Sequence, residues 1–297
     1  MRQLFILTAF SLALSGSAHA ADERVSQQPA APSTKSHISQ GWLIQETSTF
    51  RIFCRANLAE AGRLPQACEA LRRHLQETWF GSAAEDWSPR CDIVVHPTIE
   101  VYVRDGGGNR QSSGFATLKI DGGKVLKRRV DLRADADDWL ISALPHELTH
   151  VVLAERFARR QIPRWADEGM AILTEPAARQ AIRRSAMQRA MLKAPRYSAS
   201  ELMSLADYPT AERRDAFYGQ SASLVAYLLE RDSSAKFLEF VELAQTQGAE
   251  AALAKVYQIR SLAQLDLRWK AQLLDRGQSA ELIATRTARI TAGQELD

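Results

Sequence analysis

The stretch Leu144-Pro145-His146-Glu147-Leu148-Thr149-His150-Val151-Val152-Leu153 decides how the rest of the chain is read. Its apolar positions read as a helix, and Pro145 falls near the start, where a missing N–H costs least. Residues four apart lie one turn along and only about 40° round a helix, so His146 and His150 project the same way. Two imidazoles so placed share one divalent ion, and Glu147 stands beside them to take a proton from water. Leu144, Leu148, Val151 and Val152 are apolar, and neither residue between Glu147 and His150 is charged. Those flanks suit a buried active-site helix.

An ion held this way needs a third ligand. Beyond a short turn at Gln161-Ile162-Pro163, the run Arg164-Trp165-Ala166-Asp167-Glu168-Gly169-Met170-Ala171 opens a second helix with two adjacent carboxylates. Only one of two consecutive helical residues can face an ion well. Two histidines and one carboxylate leave a fourth position for water, which is the catalytic rather than the structural arrangement. A His-x-x-x-His pair alone recurs by accident on core helices; a carboxylate returning within reach of it is what separates this pair from chance.

Together these motifs resemble the gluzincin metallopeptidases, and in particular the peptidase-MA-like domains, from about Thr47 to Trp269. The shared pattern is His-Glu-x-x-His at His146 to His150, Trp-x-x-Glu-Gly at Trp165 to Gly169, and a later Tyr-x-x-Ser at Tyr218 to Ser221. The resemblance implies a zincin-like α+β fold: a small mixed sheet with a hairpin, then a mainly helical half, with the active-site cleft between them. It implies Zn²⁺ on His146, His150 and Glu168, Glu147 as the base and Tyr218 as the oxyanion donor. It selects Glu168 over Asp167, which is left to orient a histidine from behind. Read from the residues alone, Tyr218 shares a helical face with Ser221, Leu224, Val225 and Leu228 and is more simply a core side chain. The chain departs from the pattern at Ile172, where many gluzincins carry an acidic residue behind the metal. Leu153 and Arg156 stand where the metzincin extension needs Gly and His, which excludes that clan.

The 297 residues are 45% hydrophobic and 25% charged, enough for one large domain or two small ones. With 38 basic and 35 acidic residues, the balance gives no support to nucleic-acid binding. Residues 1–20 read as an export signal: Arg2, an apolar core from Leu4 to Leu14, and Ala18-His19-Ala20 as the cleavage site. That core is too short to span a membrane, and no later segment is apolar enough. The expectation is an exported protein, periplasmic or secreted, without stable membrane insertion. Residues 21–41 read as a flexible linker, 42–276 as the metallopeptidase domain and 277–297 as a tail. In an oxidising compartment one pair among Cys54, Cys68 and Cys91 can bridge. Cys54 ends one strand-like run and Cys91 begins another, while Cys68 lies on a helical face with Leu71, Leu75 and Trp79. The expectation is a Cys54–Cys91 disulfide with Cys68 buried and inert.

Alternating or β-rich runs predict strands at 47–54, 91–96 and 99–104, and a helix at 65–80. A hairpin is predicted from Phe115 to Ile120, through Asp121-Gly122-Gly123, to Val125–Leu132. Asp105-Gly106-Gly107-Gly108-Asn109 lacks the Lys-Ser/Thr of a phosphate cradle and reads as a loop. From Glu175 onward the chain reads as helical, with a capping box at Ser198 and Glu201, and Arg213 and Arg214 in the loop before a helix at 216–229. Phe115–Ile120 is either a plain sheet edge or an edge strand that pairs with an extended substrate. Lys124, Lys127, Arg128 and Arg129 form a solvated face or favour acidic substrates. The functional expectation is zinc-dependent hydrolysis of a peptide or protein in the cell envelope. The alternative is a non-catalytic, metal-stabilised envelope binding or assembly module. Neither oligomeric state nor cleavage preference follows from the sequence.

Overall fold

Six strands pair into one mixed sheet: β1 (Lys35–Ser39), β2 (Trp42–Glu46), β3 (Phe50–Cys54), β4 (Cys91–His96), β5 (Gly114–Asp121) and β6 (Lys124–Arg133). The structure, a computed structural model, describes residues 34–83, 85–191 and 196–273. The spatial order is β1-β2-β3-β4-β6-β5. The β3–β4 and β4–β6 pairs are parallel, and β1–β2, β2–β3 and β5–β6 are antiparallel. The expected hairpin thus places β5 at the sheet edge. Ile52, Ile93 and Val130 stand side by side across the three central strands and are all fully buried.

The helices are α1 (Leu64–Phe80), the short α2 (Ile99–Val101), α3 (Leu144–Arg156), α4 (Arg164–Leu173), α5 (Ala177–Met191), α6 (Ala199–Ser204), α7 (Ala211–Leu229), α8 (Ser234–Gln247) and α9 (Ala249–Tyr257), followed by helical residues 262–273. In α1, Leu64, Cys68, Leu75 and Trp79 recur at helical spacing and are buried, and Gly81 ends the helix in the left-handed region with its N–H on Glu77. In α3, Leu144, Leu148, Val151 and Val152 are buried against the core cluster that also holds the central strands. That packing fixes one face of α3 and leaves His146, Glu147 and His150 on the other. Trp165 anchors α4 edge-on to Phe237 of α8, with ring centroids 6.0 Å apart.

Four expectations are corrected. Residues 99–104 are not a strand: Ile99–Val101 and Tyr102–Gly106 are helical turns. Thr98 caps them by accepting the Val101 N–H, the Asp135 carboxylate accepts the Ile99 N–H at 2.9 Å, and Tyr102 is buried beneath. The Cys54–Cys91 disulfide is not formed; Cys54, Cys68 and Cys91 are all free, buried thiols. The parallel register explains why, because Cys91 faces Phe50 and Cys54 lies four residues further along β3. That offset is about 13 Å, twice what a disulfide spans. Burial pushes the Cys68 thiol up to about 12. Arg213 and Arg214 lie inside α7 rather than before it. Strand β1 occupies part of the stretch read as linker. Residues 1–20 and 277–297, the expected export signal and tail, lie outside the described residues. Among the described residues no helix is long and apolar enough to cross a membrane.

Candidate metal centre

The helix α3 enters from a turn at Trp139–Ala143 and carries His146 and His150 on its open face, their ring centroids 5.1 Å apart. Helix α4 runs back past them and brings Glu168 between the rings. Its Oε2 lies 3.4 Å from His146 Nε2 and 3.9 Å from His150 Nε2. One ligand atom from each of the three residues lies within 4.8 Å of the others. A tetrahedral Zn²⁺ with bonds of about 2.0–2.1 Å sets its donors about 3.4 Å apart. The donor set is therefore of the right chemistry, and the two Glu168–imidazole spacings of 3.4 and 3.9 Å lie near that value. The side chains of His146 and His150 are 12% exposed and that of Glu168 4%, so the centre is reached from one side only.

Each imidazole is fixed from behind. Asp167 Oδ1 accepts from His150 Nδ1 at 2.7 Å, the role the sequence left to it. Glu175 Oε1 accepts from His146 Nδ1 at 2.9 Å. A carboxylate on Nδ1 turns Nε2 toward the shared point and makes it a better donor. Glu175 is held in turn by Arg183, whose Nε is 2.9 Å from its Oε2. Tyr208, in the loop before α7, donates its hydroxyl to Glu168 Oε1. Both Glu175 and Tyr208 escaped the sequence reading. Glu175 lies beyond the end of α4, three residues past Ile172, and supplies the acidic support missing there.

Buried charge sets the electrostatics. Burial disfavours charged rings, yet Glu168 and Glu175 hold His146 at about 9. Asp167, with Glu168 and Glu147, holds His150 at about 10. Glu168 is brought down to about 2 against its own desolvation, by both imidazoles and the Tyr208 hydroxyl. Burial raises Glu147 above the usual carboxylate range, while the two imidazoles pull it the other way. The backbone N–H of Ala116 in β5 donates to it. Helix α3 and the edge strand therefore meet at this carboxyl group.

All these groups line a cleft of about 760 Å³ between β5 on one side and α4, α5 and α7 on the other. Tyr218 of α7 lines it too, with its ring 6.5 Å from that of Tyr208. Burial, and after it the Glu168 charge, raises the Tyr218 phenol to about 12, so it is a hydrogen-bond donor at neutral pH. Glycine makes the α4–α7 approach possible. A Cβ on Gly169 would lie 2.7 Å from the Ser221 carbonyl oxygen. The Trp-x-x-Glu-Gly and Tyr-x-x-Ser motifs are thus two sides of one helix crossing.

The family model of the peptidase MA superfamily matches residues 117–275, just over half of the chain. The match begins inside β5 and contains His146, Glu147, His150 and Glu168. No curated protein matches the chain.

Proposed function

The chain belongs to the peptidase MA superfamily, and we propose that it is a zinc-dependent metallopeptidase that hydrolyses peptide bonds in the cell envelope. The observation that carries the reading is the convergence of His146, His150 and Glu168, with both Nδ1 atoms held by carboxylates and Glu147 alongside. His146, His150 and Glu168 would hold a divalent ion, which would supply Lewis acidity toward a carbonyl oxygen and a water. Glu147 accepts the attacking water's proton and delivers it to the leaving amine. Tyr218 donates to the oxygen that gains charge as the carbonyl becomes tetrahedral. Asp167 and Glu175 keep the imidazoles aimed, and Tyr208 keeps Glu168 in its rotamer. Strand β5, an edge strand of the sheet among the described residues, runs beside the cleft and offers main-chain groups other than the Ala116 amide to an extended substrate. The export signal read at residues 1–20 supports the envelope as the place of action.

The test is to measure bound metal on the purified chain and profile cleavage of a mixed peptide library with and without chelator. The chain is expected to hold close to one zinc and to cleave only when loaded. Glu147→Gln is expected to keep the metal and lose about 10²–10⁴ in rate. Parent-like cleavage by that variant would sink the base assignment. A loaded chain that cleaves nothing would leave only the binding-module reading.

A further inference from the structure

We propose that Arg164 and Arg214 form a carboxylate-recognition subsite on the helical wall of the cleft, so that the substrate carries an anionic group one or two residues from the bond cleaved. The inference rests on the hydrolase reading above and adds to it a class of substrate. Both side chains line the cleft. Arg164 lies four residues before Glu168 on α4, and Arg214 four residues before Tyr218 on α7. Residues four apart share a helix face, so each arginine sits one turn from a residue of the centre, on the same side as it. The two helices pack closely at Gly169, and both arginines open into the one cleft they border.

The charges of the cleft show what these arginines are free to do. Glu168 is shared by the two imidazoles and Tyr208, and Glu147 lies beside the imidazoles and takes the Ala116 amide. Asp167 is held by His150. Glu175 is held by His146 and Arg183, and Asp138 by Arg179 at 2.9 Å. Among the described residues lining the cleft, every carboxylate except Glu147, the proposed base, is in an ion pair, and Arg179 and Arg183 are taken up by Asp138 and Glu175. Arg164 and Arg214 make no salt bridge among the described residues, and the one carboxylate whose charge Arg214 feels is Glu212 on its own helix, outside the cleft lining. Arg164 lies instead over the Tyr208 ring, 5.0 Å from its centre, which steadies the guanidinium while leaving its N–H fork unpaired. A cleft whose acids other than Glu147 are paired and whose lining keeps two guanidiniums without a salt bridge selects an anion, and a planar fork selects a carboxylate. Four residues of helix rise about 6 Å, and an extended peptide advances about 3.3 Å per residue. The anion therefore falls one or two positions from the scissile bond. It is either an acidic side chain or a free C-terminus; both present the same group.

The test uses the full chain loaded with zinc, with Glu147→Gln as the receptor so that peptides stay intact. The probes are fluorescein-labelled alanine-based octapeptides carrying Glu or Gln at successive positions, each with a C-terminal acid or amide. Binding is read by anisotropy, and the unmutated chain is assayed for cleavage of the same peptides. Carboxylate-bearing probes are expected to bind about 10- to 100-fold tighter than their amide counterparts, the effect of one or two charge-assisted hydrogen bonds. The Glu/Gln arm and the acid/amide arm identify which source is recognised. Arg164→Gln and Arg214→Gln should each reduce the preference. Arg214→Glu should transfer it to probes carrying Lys. Equal binding within both the Glu/Gln pairs and the acid/amide pairs overturns the subsite whether or not any variant folds, as does a preference that survives the double Gln variant. Cleavage without discrimination removes the subsite and leaves the hydrolase. Discriminating binding with no cleavage does the reverse.

Discussion

Gly169→Ala tests whether the position of Glu168 depends on how closely α4 and α7 approach. The added Cβ would lie 2.5 Å from Val225 Cγ2, 2.7 Å from the Ser221 oxygen and 2.9 Å from the Ser221 carbonyl carbon. The valine can turn; the other two atoms are α7 backbone. Restoring ordinary contact means parting the helices by roughly 0.5–1 Å. Overpacking of this kind costs about 1–3 kcal/mol, which for a domain of this size lowers Tm by about 2–10 °C. Glu168, the preceding residue on α4, moves with the helix. Metal–ligand distances tolerate only about ±0.2 Å, so the displaced carboxylate binds poorly and zinc affinity should fall about 10- to 100-fold. Chelator competition reads the affinity, and a thermal melt of the metal-free chain reads the packing. Gly62→Ala is the control, since a Cβ there meets nothing within 4 Å. If Gly169→Ala binds zinc as tightly as the parent and melts at the same temperature, the helix crossing does not set the ligand geometry and the reasoning is wrong.

Glu175→Leu removes the acceptor that fixes His146 and should weaken zinc binding about 10- to 100-fold in the same competition assay. It also strands Arg183, so its melt should fall as well. Tyr208→Phe deletes the donor to Glu168 and should weaken the metal less than loss of Glu175, because the carboxylate keeps its place on α4. The pH dependence follows from His146 at about 9 and His150 at about 10. At pH 7 the metal-free rings hold protons that the ion must displace. Binding should then release close to two protons and tighten by up to about 100-fold per pH unit between pH 7 and 8.5. Calorimetry in buffers of different ionisation enthalpy counts those protons, and a count near zero contradicts the charge state. In the metal-free chain these raised values stabilise the fold fully below about pH 6.5, and the contribution is lost as pH climbs through 9 to 10.

The sequence carried what is periodic and missed what depends on where the chain returns. His146 and His150 were legible because one helix dictates their relation. A carboxylate on a second helix a short turn away was legible too, with the choice of Glu168 over Asp167 coming only from the family resemblance, and the β5–β6 hairpin was legible from its alternation around two glycines. Glu175 and Tyr208 were not, since neither belongs to a pattern; each reaches the centre because a helix end or loop happens to close over it. The 99–104 segment misled because Ile, Val and Tyr favour strands, while the cap that makes it helical comes partly from Asp135, far along the chain. The cysteine pairing failed for a related reason: adjacency of two strands was foreseeable, but their register was not.

The supports of the centre are strung over a longer stretch of chain than the ligands themselves. All three ligands have emerged once residue 168 is made, but Arg183 clamps Glu175 from α5, and Tyr208 does not arrive until the loop before α7. A nascent or truncated polypeptide ending short of that loop holds the triad without its struts. Zinc capture should thus come late in maturation and report that the helical half has docked, making the ion a witness to assembly rather than its seed.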